Sequence, residues 1–254
     1  MMRVIKVGGR VQRDSALAGV LAALWRAEPS SFCLVHGGGD TISALQTKLG
    51  AAPRFVEGRR VTTNEDIDVL RMALSGVANK RLVASLSAEG LAAVGISGED
   101  GSLLVARPMN LAVLGLVGEV IAVNDALPRT LLEAGFLPVI SPVARDGASA
   151  STGALNVNAD DAAAAIAASL GTEELLLISD VDGVMIGGAA ATSLSADEAA
   201  LAIEHGIARD GMATKLRAAL NALRGGVPQV RIGGLDALLD PGLGTTLLAT
   251  PQLA

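Results

Sequence analysis

The chain has 254 residues, half of them apolar, and a formal net charge of −6. That length buries a substantial core in one large domain or two intimate lobes, and the acidic balance lacks the general positive field that non-specific nucleic-acid binding needs. No window offers the roughly 20 uninterrupted apolar residues of a membrane span, because Glu119 breaks one apolar stretch and Glu173 and Glu174 break another.

In chain order, residues 3–7 form a β-branched run ending at Gly8-Gly9, and residues 14–27 carry helical apolar spacing (Leu17, Val20, Leu21, Leu24, Trp25). A second apolar run at 32–35 ends at His36 and three glycines, and a helix pattern follows at Thr41–Leu49. Strand and helix alternate with glycine at the ends of both strands, which predicts a parallel sheet covered on both faces. Residues 53–63 read as a hairpin turning near Glu57-Gly58, followed by two helices at 64–76 and 78–89. Short strand-like pieces cut by Gly and Pro fill 91–123, then a helix at 125–134 leads to the strand Leu137–Ser141. An Ala-rich helix at 161–170 precedes a strand at 174–179. Helices at 197–204 and 212–224 and strands at 228–232 and 245–249 close the pattern, with Gly187–Ala191 expected as a flexible surface loop. Cys33 is the only cysteine and lies in an apolar run, so it reads as a buried core thiol. The first residues lack the basic region and long apolar stretch of a secretory signal, so a cytoplasmic protein is expected.

In an open parallel sheet, ligands bind beyond the carboxyl ends of the strands. Glycine there lets backbone N–H groups approach an anion, and a following helix adds its positive N-terminal dipole. Gly8-Gly9 and Gly37-Gly38-Gly39 are both placed that way. Each cluster alone could equally be a tight turn, but two at adjacent strand ends, one preceded by Lys6, point to an anion site. The P-loop motif, the Gly-x-Gly-x-x-Gly dinucleotide fingerprint and the protein-kinase signatures are absent from the sequence.

Arginine is common and lysine sparse; the lysines are Lys6, Lys48, Lys80 and Lys215. Lys6 sits inside an apolar strand, where it must reach solvent or face an anion. Lys215 opens a helix pattern, where a cation opposes the dipole, although a solvated helix face would also place it there. Asp160 reads either as a first-turn acid behind the N-cap Asn158 or as an acid holding the two ammonium groups. Ser179-Asp180-Val-Asp-Gly183 reads either as an Asp-Gly turn or as a strand-end loop holding a nucleotide.

Seven segments in order resemble the amino acid kinase family over nearly the whole chain: Val4-Ile-Lys-Val-Gly-Gly9, Val35-His-Gly-Gly-Gly39, Gly58-Arg-Arg-Val-Thr62, Gly95-Ile-Ser-Gly-Glu-Asp-Gly101, Asn156-Val-Asn-Ala-Asp160, Ile178-Ser-Asp-Val-Asp-Gly183 and Asp210-Gly-Met-Ala-Thr-Lys215. The third and fifth together resemble the branch that phosphorylates N-acetyl-L-glutamate. The resemblance implies an α/β fold, a three-layer αβα sandwich with a mainly parallel open sheet. It implies an acyl-acceptor and dimerisation lobe over approximately 1–150 and a nucleotide lobe over 151–254, within a single domain.

It also implies ATP and Mg²⁺, the metal held mainly by the nucleotide phosphates rather than by protein ligands. Lys6 and Lys215 would stabilise the transferring phosphoryl group, Asp160 would orient them, and Gly9 and Gly38 would donate backbone N–H groups. Gly38, Gly39, Arg60 and Asn156 would hold the acetylated substrate. Asp180, Val181, Asp182, Gly183, Val184 and Met185, with Ile207, Ala208 and Arg209, would line the ATP site. Arg10 and Asp40, which follow the glycine clusters, are expected near the acceptor pocket. The family's arginine-inhibited hexamers carry an additional N-terminal helix, so an arginine-insensitive homodimer is expected. The competing readings are a carrier-protein-linked aminoadipate or glutamate kinase, a non-catalytic amino-acid sensor and a Rossmann-type oxidoreductase.

Overall fold

The computed structural model describes residues 2–148 and 153–248. Its elements are β1 (Arg3–Val7), α1 (Leu17–Ala27), β2 (Phe32–His36), α2 (Gly39–Lys48), β3 (Phe55–Val56), β4 (Arg59–Arg60), α3 (Asn64–Leu70), α4 (Asn79–Ala88), β5 (Ala93–Gly98), β6 (Leu104–Pro108), α5 (Leu111–Leu114) and β7 (Val117–Val123). There follow α6 (Ala126–Glu133), β8 (Leu137–Asp146), β9 (Ala154–Val157), α7 (Ala159–Leu170), β10 (Glu174–Ile178), β11 (Met185–Ile186), β12 (Ala189–Ala190), β13 (Ser193–Ser195), α8 (Ala196–Glu204), α9 (Asp210–Arg224), β14 (Gln229–Gly233) and β15 (Thr245–Leu248). Position 249 of the last expected strand lies outside the described residues.

The centre of an eleven-stranded sheet runs β14-β10-β1-β2-β8-β5, all parallel. One edge is closed by β15 antiparallel to β14, with β13 beyond it. At the other side β8 changes partners. Its first half pairs with β2 and β5, and from Val143 onward it pairs with β9 and then β6. Pro142 sits at that change, where a residue without an N–H cannot continue a ladder. Strand β8 therefore extends five residues past the expected Leu137–Ser141 and carries the sheet into the antiparallel β6–β7 pair.

The period of two along β1 assigns its faces. Val4 joins Cys33, Val35, Leu175 and Leu177 under the Ala-rich face of α7 and under α9. Ile5 and Val7 join Phe32, Leu34 and Ile178 against Leu17, Leu21 and Trp25 of α1 and Leu82 and Leu86 of α4. Helices on both faces complete the three layers expected from the sequence. Burial raises the Cys33 thiol to about 12, so it is an inert core group. Among the described residues no helix is long and apolar enough to cross a membrane.

Three local expectations are corrected. The two helices expected at 64–76 and 78–89 are one continuous helical run, because Arg71–Ala78 winds as a π-helix between α3 and α4. Its buried Ala73 and Leu74 pack with Ile42, Ile67 and Val143, and that packing carries the helical run through the break expected at 77. Residues 187–191 are not a bare loop but the turn and return strand of the β11–β12 hairpin, with Gly187 and Gly188 at φ 61° and 89°. Helix α1 begins at Leu17 rather than 14, since the Asp14 carboxylate accepts from the Ala16 N–H in a local turn.

At the first position of β10, Glu174 forms a buried ion pair at 3.0 Å with Arg231 of β14. The same Glu174 oxygen accepts from Gln229, and the guanidinium also donates to the carbonyls of Ala237 and Asp240. Glu174→Ala leaves an unpaired buried cation, so we expect it to lower the unfolding free energy by about 3–5 kcal/mol. A urea midpoint within error of the wild-type value would contradict that.

Candidate active site

The carboxyl ends of β1, β2 and β10 meet at one place. The Gly8 N–H donates to the Ile178 carbonyl and the Gly37 N–H to the Val7 carbonyl, which draws both glycine loops to a common edge. Lys6 shares the face of Val4, so its side chain runs beneath α7 toward that edge. Helix α7 starts there, capped by Asn158, whose Oδ1 accepts from the Asp160 and Asp161 N–H groups. Both sequence readings of Asp160 hold at once. It is a first-turn acid, and its Oδ1 lies 2.7 Å from Lys6 Nζ and its Oδ2 3.4 Å from Lys215 Nζ.

Burial decides the electrostatics of this triad. Lys6 is 5% and Asp160 4% exposed. Desolvation is the largest influence on Lys6 and lowers its pKa, against the opposing pull of Asp160. Desolvation also works to raise the Asp160 carboxyl, but the two ammonium groups outweigh it and hold the acid below its ordinary value. The carboxylate is thus ionised throughout the neutral range. Its contribution to stability is full above the ordinary carboxylate value of about 3.9 and is lost only as pH falls through the lower folded value. Asp160→Asn removes the one buried anion between two cations, and Lys6 would shed its proton more readily. The alkaline limb of the kcat–pH profile should move to lower pH; an unmoved limb would contradict the pairing.

Beside the triad lies a cavity of about 290 Å³ whose lining includes Gly9, Gly37–Gly39, Arg60, Asn156 and both lysines. Strand β4 delivers Arg60 to its wall. The guanidinium donates to Gln46 Oε1 at 2.5 Å, Gly39 O at 2.9 Å and Ser43 Oγ at 2.9 Å, and lies 4.7 Å from the Phe55 ring centroid. Three of its five N–H donors are so used by described residues. The turn is built by Glu57 and Gly58 at φ 48° and 75°, and it brings Phe55 and Gly58 over the cavity opposite Thr214 of α9. Asn156 donates to Thr62 Oγ1 at 2.9 Å, which fixes its amide at the wall. A Cβ on Gly38 would stand 2.6 Å from Leu74 Cδ2, so the loop approaches the π-helix more closely than a side chain allows.

A second groove of about 180 Å³ shares Lys6, Gly9, Gly39 and Lys215 with the cavity and adds Gly8, Arg10, Val11, Asp40, Ser179 and Asp180. Arg10 and Asp40, expected near the acceptor pocket, line this groove instead. They are held by Asp180 at 2.6 Å and by Arg13 at 3.1 Å. Of the nucleotide residues suggested by the sequence, Asp180 lines the groove. Val181–Met185 follow it past β10, and Ile207–Arg209 precede α9, with Met185 and Ile207 each more than half exposed. Missed were Phe55 and Thr214, which line the cavity, and Gln46 and Ser43, which hold Arg60 from behind its wall. The Arg59–Asp161 pair at 2.9 Å, which ties β4 to α7, was also missed.

A family model described as the amino acid kinase family matches residues 1–234. The chain belongs to the amino acid kinase family. Among relatives, the acetylglutamate kinase of Geobacillus kaustophilus (strain HTA426) is 42% identical over 230 residues, spanning 90% of this chain and 88% of the relative. The acetylglutamate kinase of Chlorobaculum tepidum is 40% identical over 254 residues, 95% of this chain and 88% of the relative. The solved Streptococcus mutans UA159 protein smu.665 superposes with a TM-score of 0.87 at 26% identity, covering 98% and 99% of the two chains. As an amino acid kinase the chain is not a Rossmann-type oxidoreductase.

Proposed function

We propose that this chain transfers the γ-phosphoryl group of ATP to the side-chain carboxylate of N-acetyl-L-glutamate, giving N-acetyl-γ-glutamyl phosphate for arginine biosynthesis. The observation that carries the reading is the buried Lys6–Asp160–Lys215 triad, set between the Arg60 cavity and the Asp180 groove. Relatives about 40% identical over most of the chain bear the name acetylglutamate kinase, which supports the choice of acceptor.

The acceptor carboxylate is already ionised at neutral pH, so no general base is required. Phosphoryl transfer spreads charge over the equatorial oxygens, and catalysis is mainly positioning and electrostatic stabilisation. Lys6 approaches those oxygens from the sheet and Lys215 from α9. The Gly9 and Gly38 N–H groups complete the shell. Arg60 holds the substrate's α-carboxylate, Gly39 and Asn156 hold its polar groups, and Ile42, Leu74, Val117 and Pro142 supply an apolar wall for the acetyl methyl and the methylenes.

The nucleotide phosphates occupy the second groove, and Val181–Met185 with Ile207–Arg209 take the rest of ATP. Those phosphates would hold Mg²⁺, which would supply charge neutralisation there. The acceptor lobe covers approximately 1–150 and the nucleotide lobe 151–254, in a cytoplasmic homodimer that sediments at twice the 25.5 kDa chain mass. Hydroxylamine trapping tests the product, since an acyl phosphate yields a hydroxamate of N-acetylglutamate. ATP consumption without hydroxamate would sink the reading.

A further inference from the structure

His36, at the carboxyl end of β2, is fully buried, and the reaction outlined above has no step for it. Its Nδ1 lies 2.8 Å from the Gly37 carbonyl oxygen and its Nε2 3.0 Å from Asn79 Nδ2. Asn79 fixes the tautomer. Its Oδ1 accepts from Lys80 Nζ at 3.0 Å, so the amide nitrogen is the group facing the ring. That nitrogen also donates to the Val139 carbonyl at 2.9 Å. The same nitrogen stands 3.5 Å from the Ile96 carbonyl. The Gly37 carbonyl can only accept and the Asn79 amide nitrogen can only donate, so the ring carries its hydrogen on Nδ1, donates to Gly37 and accepts at Nε2. Desolvation is the main reason the His36 pKa falls to about 4. The Gly37 contact opposes the fall, and the charges of Lys80 and Lys6 add to it.

The Gly37 carbonyl also accepts from Gln12 Nε2 at 2.9 Å, so it is gripped by two donors. The grip has a consequence one bond further on. In a planar trans peptide the carbonyl and the following N–H point in opposite directions. The Gly37–Gly38 peptide has glycine on both sides and would otherwise turn over at little cost. Holding the carbonyl toward His36 and Gln12 therefore aims the Gly38 N–H the other way. The Gly38 nitrogen lies 3.5 Å from where a Cβ on Gly9 would stand, and both glycines line the cavity. The Gly95–Gly101 motif enters here too. A Cβ on Gly95 would fall 1.9 Å from Asn79 Oδ1 and 2.6 Å from Lys80 Nζ, so that glycine makes the room the Asn79–Lys80 pair occupies.

We propose that His36 is a positioning residue, locked by Asn79 and Lys80 as the neutral Nδ1–H imidazole, which fixes the Gly37 carbonyl and so aims the Gly38 N–H at the reacting oxygens. Its functional half rests on the phosphoryl-transfer reading; its tautomer does not. The chain holds two histidines, His36 and His205, so ring-nitrogen spectra of histidine-labelled protein resolve both, and His205→Asn assigns them. His36 should stay neutral and Nδ1-protonated from about pH 8 to 5.5. An Nε2–H ring, or titration near the ordinary value, overturns the proposal whatever the kinetics.

In the kinetic arm, His36→Leu should lower kcat by about 10- to 100-fold, at or below the effect of deleting one such donor outright. The acceptor KM should stay within about threefold. His36→Asn, whose amide nitrogen reaches the Nδ1 position, should recover most of the loss, and Gly95→Ala should reproduce it by displacing Asn79. Equal losses in the Leu and Asn variants, or a loss falling on KM, overturn the positioning role. Should His36→Leu not fold, the ring spectra of the unaltered chain decide. A wild-type chain without turnover would instead overturn the phosphoryl-transfer reading and leave the tautomer assignment standing.

Discussion

Lys6→Met should lower kcat by about 10²- to 10³-fold, the cost of removing one preorganised group at a developing oxyanion, while the KM values for both substrates change far less. The reason lies in where Lys6 is spent. It is almost wholly buried, and its charge is balanced by Asp160 at 2.7 Å before any substrate arrives. In the proposed arrangement the ground-state carboxylate and ATP each have other partners in the two grooves. The charge that grows on the oxygens in flight would fall to the two lysines and the glycine N–H groups, beside the metal on the nucleotide phosphates. An interaction made mainly in the transition state appears in kcat. Methionine keeps the volume, so the loss reports charge rather than a cavity. Lys215→Met should behave alike, because Lys215 approaches the same Asp160 from the opposite side. A near-normal kcat in either variant would remove that lysine from the mechanism. Melting temperatures belong in the same experiment, since Asp160 is left with one partner instead of two in each case.

Arg60→Lys should do the reverse, raising the KM for N-acetylglutamate by about 10²-fold with kcat little changed. That ratio corresponds to about 2.7 kcal/mol, within the cost of breaking a buried charge-assisted contact. An α-carboxylate held there, as proposed, would have the same charge before and during reaction, so its contact would be uniform binding and fall on KM. Lysine retains the positive charge near Asp66 and Asp40 but cannot reproduce the fixed fork. Nor can a single ammonium satisfy Gln46, Gly39 and Ser43 in the geometry the guanidinium uses. A kcat-only effect would move Arg60 from substrate holding to the chemistry itself.

The parts of the site legible in the sequence are those that break a local pattern. A lysine in an apolar strand, a run of three glycines after another strand, and a cation at a helix start each conflict with ordinary packing, and all three meet at the triad. The adjacent ends of β1 and β2 followed from strand–helix alternation, which is also why the three layers were foreseen. What stayed hidden conforms to a pattern. Gln46 and Ser43 sit on a helix whose polar face looks solvated, yet they grip Arg60. Asn79 and Lys80 look like ordinary helix-surface residues, yet Asn79, held by Lys80, faces the His36 ring from 43 positions away. The π-helical turn had no local sequence signal, because its buried Ala73 and Leu74 are held by packing against Ile42, Ile67 and Val143. Arg10 and Asp40 were located by their neighbours in sequence, but their ion pairs with Asp180 and Arg13 turn them to the other groove.

The central claim is the acceptor, and one measurement tests it most directly. ADP release is followed with N-acetylglutamate, glutamate, aspartate, carbamate and UMP presented in turn at equal concentration. The geometry predicts turnover with N-acetylglutamate, far above every other acceptor and abolished by omission of Mg²⁺. Absence of turnover with N-acetylglutamate, or a preference for any of the other four, would contradict it.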